Sequence, residues 1–221
     1  MRYELLYQPS FAIARVMLDP GQSIRAEAGA MMSMSPSINL DSKMQGGIGK
    51  ALGRLLGGES LFQSTFSATT GPGEVLLAPT LPGDILGVEV QGGLMVQSGS
   101  FLACDTQLEL TTQASGRAFL GGEGLFLLRV TGVGTLLANA FGAIHPVQLM
   151  PGQPYIVDSG HIVAFSEGMG YEVRTVNKSL LGSLKSGEGF VVQLTGPGVV
   201  YVQTRTPSGF AGWVRQVAPS G

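Results

Sequence analysis

The sequence predicts an all-β protein built of three repeated β-sandwich or barrel units about a pseudo-threefold axis. Three observations predict it. Runs rich in Val, Leu, Ile and Phe alternate with Pro-Gly and Gly-rich turns along the chain, which carries 34 Gly and 12 Pro in 221 residues. One stretch occurs three times, as Ala26-Glu-Ala-Gly-Ala-Met-Met-Ser-Met-Ser35, Val96-Gln-Ser-Gly-Ser-Phe-Leu-Ala-Cys-Asp105 and Tyr155-Ile-Val-Asp-Ser-Gly-His-Ile-Val-Ala-Phe165. Its glycines, Gly29, Gly99 and Gly160, lie 70 and 61 residues apart. That is longer than one hairpin and marks a duplicated supersecondary unit. A second signal, Gly58-Glu-Ser-Leu-Phe62, Gly122-Glu-Gly-Leu-Phe126 and Gly187-Glu-Gly-Phe-Val191, recurs at spacings of 64 and 65.

These landmarks divide a single compact domain, 1–221, into unit one (1–86), unit two (87–146) and unit three (147–217). In unit one the apolar run 11–18 ends at a tight turn, Asp19-Pro-Gly-Gln22, and the first copy of the recurring stretch follows between Ile24 and Leu40. Residues 61–68 alternate so that Phe62, Ser64, Phe66 and Ala68 share one side of a strand. Gly71-Pro-Gly73 then turns the chain into Val75–Ala78. In unit two Val88 and Val90 alternate with polar neighbours, a turn is expected at Gly92-Gly93, and the second copy runs from Leu94 to Leu110. Residues 125–130 form a strand, with another turn expected at Gly132-Val-Gly134 before Leu136-Leu137. Unit three repeats the first turn as Pro151-Gly-Gln153 and closes with the strand 190–194, the turn Gly196-Pro-Gly198 and the strand 199–203.

The connections before the Gly-Glu signals differ in character. Residues 42–58 space Ile48, Ala51, Leu52, Leu55 and Leu56 as a helix apolar face, which predicts a short amphipathic helix or glycine-rich loop near 47–57. Its many glycines make that helix marginal alone. Residues 42–58, 111–122 and 174–187 hold Lys43, Lys50, Arg54, Arg117, Arg174, Lys178 and Lys185 and no acid. These are seven of the 13 Lys and Arg; the remaining six face all 15 acids, so a net charge of −2 conceals basic loops on an acidic body. If the loops emerge on one side, those residues with Leu55 form a basic, apolar-tipped face suited to an acidic protein partner or an anionic membrane. The same residues also fit solvated loops whose leucines cap barrel ends, or docking to further copies of the chain.

Chemistry-bearing motifs are sparse. His145, before Pro146 in an expected loop, and His161 are the only histidines, and no Gly-x-Ser-x-Gly elbow joins a strand to a helix. His161 occupies a repeat position held by Ser100 and Ala30, which reads as a capping or core role. One cysteine, Cys104, excludes an internal disulfide and reads as a small buried residue. Zinc is not expected from one Cys and two separated His, nor calcium from the isolated Asp105 and Asp158. Gly46-Gly-Ile-Gly-Lys50 fails as a phosphate loop because Met44 and Ala51 stand where Gly and Ser/Thr belong. With 7% aromatic residues and one Trp, stacking platforms for nucleic acid have little support, so nucleic acid is not the expected partner. No apolar run is long enough to span a bilayer, and Met1-Arg-Tyr-Glu4 does not begin a signal peptide, which leads to an expected cytoplasmic location, peripheral at the membrane if the loops dock there.

Glu27-Ala-Gly-Ala-Met31, Gly57-Gly-Glu-Ser-Leu-Phe62, Ser98-Gly-Ser-Phe-Leu-Ala103, Gly122 to Arg129 with Thr131-Gly132, and Val157 to Phe165 together resemble the altered-inheritance-of-mitochondria protein 24 family, including its uncharacterised bacterial branch. The resemblance covers nearly the whole chain. It implies a fold similar to the tryptophan RNA-binding attenuator protein, with repeated β-units in pseudo-threefold arrangement. It carries no activity and no RNA-binding residues onto this sequence. The expectation is therefore a non-enzymatic, self-associating scaffold or adaptor without cofactor or metal, whose basic loops meet a protein partner or anionic membrane. The alternative is a small-ligand or nucleic-acid binding module using a groove between repeats.

Overall fold

The computed structural model describes residues 1–41, 63–114, 125–175 and 190–218. The expected helix or loop near 47–57 and the glycines of all three Gly-Glu signals lie outside them. The all-β expectation holds: the described residues form seventeen strands in sheets of four, ten and three strands.

The first sheet starts with β1 (Arg2–Leu6) paired to β2 (Ile13–Leu18), continues through β7 (Gly73–Leu77) and ends at β4 (Met31–Met34). Alternation sets the faces: Ala14, Val16 and Leu18 of β2 point inward with Val75 and Leu77. The Asp19-Pro-Gly-Gln22 turn carries the chain from β2 into β3 (Ser23–Glu27) of the ten-stranded sheet. Gly21 sits at φ 82, the Gln22 amide donates to the Asp19 carbonyl, and the Gln22 side-chain oxygen accepts from the Asp19 amide. The echo at Met150–Gln153 folds the same way, with Gly152 at φ 75 and the Met150 amide donating to Gln153.

β3 is flanked by β6 (Gln63–Ala68), whose outer neighbour is β5 (Ile38–Asp41), and on its other side by β9 (Phe101–Asp105). Ser64, Phe66 and Ala68 share the buried face of β6, as the alternation predicts. At the centre of the ten-stranded sheet lies a long ribbon, β8 (Ile85–Gln97) against β11 (Phe126–Asn139), with β9 and β10 (Glu109–Ala114) both on β11. Here the structure corrects two expectations. Gly92-Gly93 and Gly132-Val-Gly134 are not turns; both strands run on through them, and Gly92 pairs with Gly132 at φ 112 and 113. Two facing glycines in the left-handed region let a paired ribbon bend without ending, which side chains would resist.

Beyond β8 follow β14 (Ile162–Ser166), β17 (Gly198–Gln203) and β12 (Ile144–Leu149). The third sheet is β13 (Pro154–Asp158), β16 (Phe190–Thr195) and β15 (Gly170–Thr175). An α-helix absent from the sequence-based expectation, α1 (Pro207–Val217), ends the described chain. Thr206 caps it by accepting from the Gly209 amide at 3.1 Å, and Pro207 fills the first turn, where its missing N–H is harmless.

Three apolar clusters fill the interior. The first gathers β2, β3, β6 and β7 and takes in Leu102 and Ala103 of β9. The second surrounds the ribbon and takes in Val163 and Ala164 of β14. The third lies between β13, β16 and the β14–β17 pair.

Candidate functional site

Asp105, Cys104 and His161 are engaged in holding the fold. The Asp105 carboxylate accepts from the Met1 ammonium at 2.9 and 3.0 Å and from the Thr135 amide at 2.7 Å. It lies beside a cleft of about 390 Å³ that Met1, Leu18, Gln22 and Ser23 help to line. Cys104 is fully buried, and desolvation pushes its thiol up to about 11, away from the reactive thiolate. His161 donates from Nδ1 to the Gln203 carbonyl at 2.6 Å, while the Gln203 side chain donates to the Gly160 carbonyl and accepts from the Phe141 amide. That is the capping role the sequence suggested. Asp158 caps the turn beside it by accepting from the Gly160 amide at 2.8 Å. His145 departs from its expected loop: it sits exposed in β12, opposite Val202. Among the described residues no three His, Cys, Asp or Glu side chains are grouped to hold a metal.

Of the expected basic face, only Arg174 can be placed. It stands in β15, not in a loop, exposed, and donates to Glu172 at 2.6 Å, a contact that raises its already high pKa. Lys43, Lys50, Arg54, Leu55, Arg117, Lys178 and Lys185 lie outside the described residues. The sequence grouping of 174–187 as an acid-free loop overlooked the partner two residues earlier on the same strand face. Period-two reading would have paired Glu172 with Arg174.

From the sequence, Met31, Met32 and Met34 read first as packing an irregular core and only secondarily as exposed binding residues; the structure exposes them. All four residues of β4 are exposed, and they include Met31, Met32 and Met34. On β13, Tyr155 and Ile156 are exposed while Val157 points into the third cluster. The helix α1 presents Phe210, Trp213, Val214 and Val217 to solvent. Phe210 stacks on Trp213 and meets Phe141 edge-on at 5.5 Å, which fastens the helix to the β12 end of the sheet. The signal for α1 was present as Thr206-Pro207 followed by apolar residues at i, i+3, i+4 and i+7. Nothing in the first copy of the recurring stretch marked its methionines as exposed, because the other two copies read equally apolar.

The profile of the family described as mitochondrial biogenesis AIM24 matches residues 3–205. The chain belongs to this family. An uncharacterized protein of Streptococcus pyogenes serotype M6 is 33% identical to it over 231 residues, covering 100% of this chain and 92% of the relative. A crystal structure of a Streptococcus pyogenes protein superposes with a TM-score of 0.83 at 30% identity, over 97% of this chain and 98% of that one. The family resemblance and the all-β architecture read from the sequence thus stand. Among the described residues, no helix of this family member is long and apolar enough to cross a membrane.

Proposed function

We propose that this family member is a non-enzymatic scaffold or adaptor that self-associates and presents its basic loops to a protein partner or an anionic membrane. The observation that carries the reading is β4, a strand with every residue exposed and three of four of them methionine. An apolar sheet edge of this kind is a docking surface. The internal engagement of Asp105, Cys104 and His161 supports the non-enzymatic part. The location that goes with it is cytoplasmic, peripheral where the loops meet lipid.

The scaffold consists of three equivalent units, 1–86, 87–146 and 147–217, in the attenuator-like arrangement. Recurrence of one pairing pattern supports this. The orders β2–β7–β4, β8–β11–β9 and β12–β17–β14 form one half of each unit. The orders β3–β6–β5, β8–β11–β10 and β13–β16–β15 form the other half.

Two measurements test the reading. Light scattering at micromolar concentration is expected to give a mass of more than one chain; a single-chain mass at every concentration would remove self-association. Flotation with anionic liposomes, lost in Lys50→Glu/Arg54→Glu and absent with zwitterionic liposomes, is the result expected of a membrane-facing adaptor. A protein that never floats leaves the basic loops to a protein partner. The ligand-binding alternative would use the 390 Å³ cleft lined by Leu18, Gln22 and Ser23 on one side and Asp105 and Thr106 on the other. Native mass spectrometry of the purified protein is expected to show no retained small molecule.

A further inference from the structure

We propose that a second copy of this chain seats its β13 along β4, continuing from chain to chain the junction that already joins units within the chain. The inference rests on the three-unit reading above and names the surfaces through which the scaffold self-associates.

Two junctions of one kind are present. Strand β3 pairs with β9 as Ile24↔Asp105, Arg25↔Cys104 and Ala26↔Ala103. Strand β8 pairs with β14 as Leu94↔Ser166, Met95↔Phe165 and Val96↔Ala164. Counted from the recurring glycines Gly29, Gly99 and Gly160, the two registers coincide: the fifth, fourth and third residues before one glycine meet the sixth, fifth and fourth after the next. Applied to unit three and unit one, that rule pairs Tyr155 with Ser35, Ile156 with Met34, and Val157 with Ser33. Neither β13 nor β4 makes this pairing within the chain; β13 pairs with β16 and β4 with β7. Among the described residues the unit series is therefore open at both ends, and its ends have matching registers.

The strands entering each junction share a further device. β9 has an irregularity between Phe101 and Ala103, and β14 between Ile162 and Ala164, leaving Leu102 and Val163 out of register. Each such residue is fully buried in the core of the preceding unit, Leu102 in the first cluster and Val163 in the second. β4 has the same irregularity between Met31 and Ser33, and its out-of-register residue, Met32, is 61% exposed. The preceding unit that Met32 requires is unit three of another copy, whose apolar cluster lies directly beneath Val157 of β13.

The guarding of the other sheet edges agrees. β1 carries Arg2 and Glu4, β10 carries Glu109, β15 carries Glu172 and Arg174, β5 carries Asp41, and β12 carries Pro146. β4 carries none of these edge blockers, and in β13 Pro154 precedes and Asp158 follows the three register positions, leaving those positions clear. Because the two surfaces differ, the contact is head-to-tail and builds a ring if the rotation closes or a filament if it does not.

Met34→Cys and Ile156→Cys, made in separate chains, mixed and oxidised, test the register, since directly opposed residues bring their Cβ atoms within about 5 Å. The expected product is a covalent pair of unlike chains. Met34→Cys mixed with Gln148→Cys on β12 gives none. Met32→Lys and Ile156→Lys, both at exposed positions of the single chain, are each expected to reduce the assembly to single chains with an unchanged melting temperature at low concentration. Wild-type assemblies that survive both lysines and yield no mixed disulfide would overturn the β4–β13 junction while leaving self-association standing. Wild-type single chains at hundreds of micromolar would overturn both. A disulfide that forms only inside one doubly substituted chain would mean the series closes on itself, which also overturns the proposal.

Discussion

β4 and β9 carry corresponding parts of two copies of the recurring stretch and opposite burial. Phe101, Leu102, Ala103 and Cys104 are 0% exposed, whereas Met31, Met32, Ser33 and Met34 all face solvent. Both strands pair on one side, β9 with β11 and β4 with β7. Among the described residues only β9 of the two has a second neighbour, β3, together with the first apolar cluster beneath it. Local sequence decided that both would be strands with one residue out of register. The presence or absence of a neighbouring strand decided which is core and which is surface.

The largest expected effect breaks this comparison directly. Leu102→Ala removes a fully buried side chain and is expected to destabilise the protein by roughly 2–5 kcal/mol. Met32→Ala at the matching position of β4 is expected to change stability by no more than about 0.5 kcal/mol in dilute solution. Urea denaturation of both variants measures the contrast, and equal losses would mean that β4 is covered in the single chain.

A pH titration sharpens it at the next position. Burial raises the folded-state pKa of Cys104 from 9.0 to about 11. Its contribution is thus fully present below pH 9 and is lost as pH climbs to 11, by roughly 2–3 kcal/mol. Cys104→Ala removes that part of the alkaline slope. Met34→Cys, the exposed counterpart, is expected to react with a thiol reagent at once, while Cys104 waits for unfolding.

Smaller effects test the glycine bend of the ribbon and the cap of the helix. Gly92→Ala meets no atom within 4 Å but must adopt φ 112, so a loss of about 1–2 kcal/mol is expected from backbone strain alone. Smallest, Thr206→Ala removes the cap of α1, and about 1 kcal/mol of local helix stability goes with it. Faster amide exchange confined to 207–217 is the readout. Exchange that speeds up throughout the sheets would instead show that the helix braces them.

Much of the strand order was readable because period-two alternation and Pro-Gly turns are local signals. Ser64, Phe66 and Ala68 share the buried face of β6 as read, and the Gln22 and Gln153 turns fold alike. The glycines of the ribbon read as turns in the sequence and are not turns in the structure. Glycine permits a bend and a chain reversal equally well, and only the partner strand distinguishes them: Gly92 faces Gly132 across an unbroken ladder. Arg174 was grouped with a loop because its strand partner Glu172 lies just outside the acid-free window.

The sequence by itself determined the family, the all-β class, the Pro-Gly turns and the recurrence of one stretch, because each is carried by residues within a few positions of one another. Only the tertiary structure decided that Met32 is surface while Leu102 and Val163 are core. The reason is physical. A side chain's burial depends on the strand and core that arrive from elsewhere in the chain, and for β4 no second described strand arrives beside β7.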